Sequence, residues 1–221
     1  MTLHKRLLRA VLAIACVILS LPPCVRSAGV GFYGSTGYGE GSYTGNDESV
    51  NFSTLSYEKF RLGGGFVFDN AVPSNSIFNY RLNLGAEGVA DNVGDGAGLT
   101  YNFSGIRFNW LNDFGFALIR APGLRWWLGP QQGLFILDEA DASDNGIFSY
   151  DGALGVVTGI NFYMPRRLTL GLDLALRYVF EIATRAFRSP GDNFDASYIG
   201  NGWECGLTVS FMLRGRDRFR R

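Results

Sequence analysis

Two carboxylates on one alternating stretch are the first residues here whose type and spacing permit chemistry. Asp173 lies in "LTLGLDLALRYVF" (168–180), and Glu181 follows that stretch directly. A pair of carboxylates can serve as a general acid and a general base. Arg177 lies between them on the same phase, so the alternative interpretation is a network of ion pairs. We favour the network and predict no catalytic residues.

Histidine, the usual base beside a nucleophilic serine, is nearly absent from the sequence. The only histidine is His4, which lies in a predicted signal peptide. A mechanism that depends on histidine is therefore excluded for the processed chain. We predict that the protein is not an enzyme and has no cofactor. A lipid-modifying enzyme that works without histidine is the least favoured alternative.

One acidic segment resembles the opening of a calcium-binding loop. It runs from Asp141 through Asn145 and Gly146. A calcium loop of this kind needs a bidentate glutamate at its twelfth position, and Gly152 stands there instead. We therefore predict a solvated turn and no metal site.

The first 28 residues are typical of a secretory signal peptide. Basic residues, including Lys5 and Arg6, precede an apolar run from residue 10 to residue 21. That run is too short to span a bilayer, and small residues follow it. We predict cleavage near residues 27/28, which gives a signal peptide at 1–28, a main domain at 29–214 and a basic tail at 215–221.

Removal of the signal peptide changes the composition of the chain. Cys205 would be the remaining cysteine, so no internal disulfide is expected. The processed chain would be mildly acidic and would carry no signature of nucleic-acid binding.

Eight segments of alternating polarity follow the predicted signal peptide. The first runs from about Val30 to Tyr43, and the fourth changes phase at Ser104-Gly105, where we predict a bulge. Polar connectors predicted to be long follow the odd-numbered segments, and short turns follow the second, fourth and sixth. The sequence therefore predicts an all-β fold, an eight-stranded antiparallel up-and-down transmembrane β-barrel with both termini periplasmic.

The volume available inside an eight-stranded barrel decides whether the apolar face of the strands points outward or inward. A lipocalin-like barrel or a sandwich would put that face inside, but an eight-stranded barrel is just wide enough to be filled by side chains. The glycine-rich face fits this narrow space better than the leucine and aromatic face does. Trp127 is predicted to plug the lumen. The predicted lumen charge network consists of Arg61, Arg81, Glu87, Arg107, Asp113, Arg125, Asp173, Arg177, Glu181 and Glu204.

The last segment carries a pattern that supports this fold. Glu204, Gly206, Val209 and Phe211 match the last-strand signal read by the barrel-assembly machinery. The chain resembles the small eight-stranded outer-membrane barrels of Gram-negative bacteria, of the OmpA, OmpX and OmpW kind. The resemblance implies an outer-membrane location, with outer-membrane lipids, lipopolysaccharide and the assembly machinery as partners.

The expected role is structural or based on interactions at the cell surface, with a filled lumen and a monomeric state. The alternative is a narrow channel for small or hydrophobic solutes. Ten acidic residues are assigned to the outer loops, where they could bind divalent cations among lipopolysaccharide headgroups. They are Asp47, Glu48, Asp91, Asp95, Asp138, Glu139, Asp141, Asp144, Asp192 and Asp195.

Overall fold

The structure is a computed structural model that describes residues 28–45, 55–72, 76–94, 100–142, 146–189 and 192–214. Residues 1–27 of the predicted signal peptide and the predicted basic tail lie outside the described residues. Eight strands make up nearly all of the described chain. They are β1 (Gly29–Gly45), β2 (Leu55–Asp69), β3 (Phe78–Gly94), β4 (Thr100–Ala121), β5 (Leu124–Ala140), β6 (Gly146–Tyr163), β7 (Leu168–Ser189) and β8 (Asp192–Arg214).

The sheet closes on itself and leaves no free edge. Each strand pairs antiparallel with the next, and β1 pairs with β8 from Gly29↔Arg214 to Gly45↔Tyr198. This confirms the predicted eight-stranded antiparallel up-and-down barrel. Both ends of the described chain lie at one end of the barrel, here called the terminal end. The opposite end, where β1 connects to β2, is called the loop end.

The period-two pattern of the sequence explains which face of each strand points outward. In β7, Leu172, Leu174 and Leu176 are exposed, whereas Asp173 and Arg177 are buried. Successive side chains of a strand point to opposite faces, so one phase lines the lumen and the other covers the outer wall. The polarity is the reverse of a soluble barrel, because ionised groups lie inside and large apolar groups lie outside.

The predicted bulge at Ser104-Gly105 is wrong. The pairing of β3 with β4 continues without interruption through both residues. The register shift in β4 lies between Ala117 and Ile119. The phase of the apolar residues changes near Ser104 because Phe103 fills the lumen at the loop end.

Several segments predicted as loops continue as strands. The strands contain 15 to 23 residues, more than the roughly 9–11 that a tilted strand needs to cross a bilayer. Asp91, Asp138 and Glu139 therefore lie in β3 and β5, and Asp192 and Asp195 lie in β8, not in outer loops. Backbone pairing continues past the apolar belt, where hydrophobic alternation no longer marks the strand.

The connections at the terminal end include one strained turn. Between β6 and β7, the short 3₁₀ segment Pro165–Arg167 holds Arg166 at φ 57° and Arg167 at φ 66°. Both values lie in the left-handed region that glycine adopts at lower cost. In the described part of the chain, no helix is long and apolar enough to cross a membrane.

Candidate functional site

The lumen is the candidate site, because it contains most of the buried charge of the described chain. The structure places all ten residues of the predicted network inside the barrel, each at most 5% exposed. Contacts divide the charged residues into layers along the barrel axis.

The middle charge layer consists of Arg61, Glu87, Arg107, Arg177 and Glu204. Glu204 accepts from Arg107 Nη1 at 2.8 Å and from Arg177 Nε at 3.1 Å, and its Oε2 lies 3.1 Å from Arg61 Nη2. Glu87 accepts from Arg107 Nη2 at 2.7 Å and from Arg61 Nη1 at 3.5 Å. Three guanidinium groups thus share two carboxylates, which joins strands β2, β3, β4, β7 and β8 across the lumen.

An aromatic ring closes one side of this layer. Arg107 Cζ lies 4.1 Å from the centroid of the Phe135 ring, and Arg177 Cζ lies 5.5 Å from it. Arg177 Nη1 also donates to Gln131 Oε1 at 3.1 Å. The guanidinium groups of Arg107 and Arg177 therefore stack on Phe135, and Arg177 has a neutral hydrogen-bond acceptor, in addition to their contacts with the two carboxylates.

The lower charge layer lies toward the terminal end and is centred on Arg81. This guanidinium donates to Asp69 Oδ2 from Nε at 3.0 Å and from Nη2 at 2.8 Å, and it also forms an ion pair with Asp173. Asn161 Oδ1 accepts from Arg81 Nη2 at 2.7 Å. Arg81 Cζ stacks 5.0 Å from the centroid of a Trp127 ring.

Two members of the predicted network form no ion pair with the described residues. Asp113 accepts hydrogen bonds from Gln131 Nε2 at 2.7 Å and from Asn83 Nδ2 at 3.2 Å, both neutral donors. Arg125 is buried at the terminal end, with no described carboxylate within 4.0 Å of its guanidinium. Both residues lie in the lumen but outside the two paired layers.

The structure does not bring Asp173 and Glu181 together. Asp173 belongs to the lower layer with Arg81, whereas Glu181 pairs with Lys59 nearer the loop end. The two positions are eight residues apart on one strand, which is about 26 Å along the strand. They therefore cannot act as an acid and a base on one substrate bond.

A third layer, the upper acidic layer, was largely missed from the sequence. It consists of Lys59, Asp91, Glu139, Asp151 and Glu181, all of which are buried. Lys59 is recognisable by its phase beside Arg61, but Asp91 and Glu139 were assigned to loops. Asp151 was also missed, although it lies on the inward phase of β6.

Apolar side chains also line the lumen near both ends of the barrel. Trp127 is fully buried near the terminal end. At the loop end an apolar cap is formed by Tyr43, Leu55, Tyr57, Val93, Phe103, Ile147, Ala183 and Tyr198. An enclosed cavity of about 10 Å³ beside Asp113 and Asp173 has room for about one water molecule. Buried side chains thus occupy the lumen at several levels along the described strands.

The outer wall is a continuous apolar surface in its middle part. Phe32, Leu62, Leu154, Ile182 and Leu213 are each more than 60% exposed. A groove of about 740 Å³ crosses this wall over β2 to β6. Aromatic and aliphatic side chains flank the groove, and glycine and alanine residues form part of its floor. Its outward-facing residues are Gly64, Phe66, Leu84, Ala86, Phe108, Trp110, Leu134, Ile136, Tyr150 and Gly152.

The four residues of the predicted assembly signal lie on β8. Glu204 points into the lumen, and Gly206 is half-buried on the same face. Val209 and Phe211 point outward into the apolar belt. Their role in assembly stays a prediction. Of the proposed calcium loop, residues 143–145 lie outside the described residues.

The described side chains were compared with the arrangement of ligands that a metal ion usually needs. Among the described residues, no group of three or more His, Cys, Asp or Glu side chains is arranged so that it could hold a metal ion. Cys205 is exposed on the outer face of β8 and forms no disulfide within the described part of the chain.

Comparison with known proteins supports the fold and gives no activity. No protein-family model matches the chain, and no curated protein matches it in sequence. The outer membrane protein OprG from Pseudomonas aeruginosa superposes with a TM-score of 0.54 at 8% identity, over 86% of this chain and 99% of that one. This likeness shows that the two proteins share a fold.

Two further solved structures align over similar lengths with lower scores. Neisserial surface protein A gives a TM-score of 0.37 at 13% identity, over 82% of this chain and 98% of that one. The outer membrane protein AlkL gives 0.44 at 11% identity, over 85% and 90%.

Proposed function

We propose that this chain is an integral outer-membrane barrel protein of a Gram-negative cell envelope. Its proposed role is structural or based on interactions at the cell surface, and its lumen does not conduct. The observation that carries this proposal is the burial of Trp127, the paired arginines and the apolar cap inside the barrel, which favours a closed lumen.

The outer wall supports a membrane location. Large apolar groups such as Phe32 and Leu213 would be costly in water but cost nothing against acyl chains. Closure through the β1–β8 pairing also satisfies the backbone groups, which an open sheet in hydrocarbon would leave unpaired.

Orientation and partners follow from the same proposal. The terminal end faces the periplasm, and the loop end faces the medium among lipopolysaccharide headgroups. The outward side chains near the loop end fit this orientation, because Glu40, Ser42 and Glu58 are polar where the apolar belt ends. The barrel-assembly machinery inserts the chain through its last strand. The protein acts as a monomer and binds no nucleic acid.

Recordings from planar bilayers test the proposal against the narrow-channel alternative. Heat-modifiable gel migration first establishes that the purified barrel is folded and inserted. We expect no stable single-channel steps, because the guanidinium groups and Trp127 occupy the lumen. Reproducible steps from the folded protein would refute the filled-lumen proposal and favour a channel for small solutes.

Two simpler measurements test the proposed membrane location and the enzyme alternative. Cell fractionation should place the protein with outer-membrane lipid, and recovery in the soluble periplasmic fraction would contradict the membrane location. Incubation of the barrel with lipopolysaccharide should leave the acyl chains of lipid A unchanged. A change in acylation would revive the enzyme alternative.

A further inference from the structure

The upper acidic layer carries more negative charge than the described residues neutralise. Glu139, Asp151 and Glu181 lie around one described cation, Lys59, which also pairs with Asp91, and each of the five is at most 4% exposed. The middle charge layer has the opposite balance, with three arginines and two glutamates. Burial of an uncompensated ionised carboxylate is costly, so the acidic excess calls for a counter-charge.

Lys59 is already engaged by its neighbours. Its Nζ lies 2.8 Å from Glu181 Oε1 and 3.9 Å from Asp91 Oδ2. It also donates to the Tyr43 hydroxyl at 2.7 Å and lies 4.6 Å from the centroid of the Tyr57 ring. The ammonium group therefore serves two carboxylates and the ring of Tyr57, and it makes no described ion pair with Glu139 or Asp151.

Three carboxylate oxygens of Glu139 and Glu181 have no hydrogen-bond partner among the described residues. Neither oxygen of Glu139 has a hydrogen-bond partner among the described residues, and neither does Glu181 Oε2. Glu139 is 2% exposed, so water outside the barrel does not solvate it. A buried glutamate with two unpartnered oxygens points to a ligand that supplies positive charge.

Strand register places two of the acids face to face. Asp151 in β6 is directly opposite Glu181 in β7. Like charges at directly opposed positions destabilise a pair of strands. A cation between the two carboxylates would convert this repulsion into a link between β6 and β7.

We propose that the upper acidic layer binds a hydrated divalent metal ion, Mg²⁺ or Ca²⁺. Asp151 and Glu181 Oε2 are its protein ligands, and Glu139 accepts a hydrogen bond from a metal-bound water. Two carboxylates with water in the other positions suit Mg²⁺, which keeps several of its waters. With two protein ligands, the site is smaller than a group of three or more His, Cys, Asp or Glu ligands, of which the described residues contain none.

The apolar cap decides how the ion reaches this site. Tyr43, Tyr57 and Phe103 line the lumen beside the layer and are buried, and on β2 Tyr57 is two residues nearer the loop end than Lys59. The ion therefore enters during folding or when the cap opens, so binding and release are slow. A bound ion links the strands next to the loop end and stabilises the end that carries the long connections.

Metal binding by the purified full-length barrel tests the proposal. The protein is refolded with Mg²⁺, with Ca²⁺, or with a chelator and NaCl at equal ionic strength. Bound metal is measured by mass spectrometry after removal of free ions, and the unfolding midpoint by heat-modifiable gel migration. We expect a single bound ion per chain and a higher midpoint with either divalent ion.

Three variants locate the site. Asp151→Asn and Glu139→Gln should weaken metal binding by more than about tenfold, since affinity depends on the number of charged ligands. Both should also lose the metal-dependent rise in the midpoint. Asp138→Asn is the matched control, because Asp138 adjoins Glu139 on β5 but points out of the barrel. It should bind metal as the wild type does.

Several outcomes would overturn the proposal. One is a wild-type chain that binds no metal and has the same midpoint with and without chelator. Another is a midpoint that rises on acidification but not with divalent ions, since the carboxylates would then be neutralised by protons. A loss of binding in Asp138→Asn equal to that in Glu139→Gln would place the ion outside the lumen. The wild-type measurement decides the question even if a variant fails to fold.

Discussion

Removal of one carboxylate from the middle charge layer should destabilise the whole barrel. Glu204 is the residue to change, because its oxygens contact Arg61, Arg107 and Arg177 at 3.1, 2.8 and 3.1 Å. Glu204→Gln keeps the size of the side chain and removes its charge. The three guanidinium groups are then left with Glu87 as their one carboxylate among the described residues.

The contacts set the size of the expected loss. Glu87 reaches Arg107 and Arg61 but makes no described contact with Arg177, whose other polar partner is the neutral Gln131. Arg177 becomes a buried cation without a counter-charge. Breaking a buried pair in this way costs about 3–5 kcal/mol of unfolding free energy.

Equilibrium unfolding in urea from lipid vesicles, followed by tryptophan fluorescence, measures this loss. Refolding of purified protein bypasses the assembly machinery, so the predicted role of Glu204 in the assembly signal does not enter. Glu58→Gln is the matched control, because Glu58 is exposed on the outer wall. Its unfolding free energy should change by less than about 0.5 kcal/mol.

A second variant separates charge from packing. Glu204→Gln combined with Arg177→Gln removes the stranded cation and should recover part of the lost free energy, as expected for residues in contact. A loss below about 1 kcal/mol in Glu204→Gln would refute the reasoning. It would mean that water or an anion reaches the lumen and screens the arginines.

Three further predictions concern other parts of the barrel. Gly115→Ala should lose about 1–3 kcal/mol of unfolding free energy in urea, because its new methyl group overlaps the Trp127 ring. Gly152→Ala, whose methyl group meets nothing within 4 Å, should change it by less than about 0.5 kcal/mol, and equal effects would contradict the packing. Arg167→Gly should raise the unfolding midpoint and add up to about 1 kcal/mol, since Arg167 has φ 66°; a lower midpoint would show that the side chain stabilises the turn. Phe211→Ala should slow assembly into vesicles that contain the assembly machinery, whereas Phe180→Ala, outward on β7, should not; equal rates would argue against the assembly signal.

The fold was predictable because lipid imposes one simple rule on every strand. Alternation places residues such as Leu174 outside and Asp173 inside, and this rule holds through the apolar belt. Beyond the belt the rule reverses, because water surrounds the wall and the apolar cap fills the lumen. Phe103 therefore points inward, and a sequence phase change was interpreted as a bulge.

The sequence predicts which charged residues point into the lumen, but it does not predict which of them form ion pairs with each other. Phase alone identifies Arg61, Arg107 and Glu204 as inward residues. Which carboxylate meets which guanidinium depends on strand tilt and register around a closed barrel, and no local pattern encodes that. Glu139 was missed because the polar residues around it are typical of a loop, although the backbone there is still paired in β5.

The central claim is that the polar face forms a filled, water-poor lumen while the apolar face contacts lipid. Two adjacent tryptophans test both parts, since Trp126 is 39% exposed and Trp127 is fully buried.

One variant retains Trp127 alone and another retains Trp126 alone, with phenylalanine at the other tryptophan positions. Each is folded into vesicles and quenched with acrylamide from water or with brominated acyl chains from lipid. The account predicts that brominated lipid quenches Trp126 and that neither agent quenches Trp127. Quenching of Trp127 by acrylamide would reveal a water-filled channel, and quenching of Trp127 by brominated lipid would show that the faces are reversed.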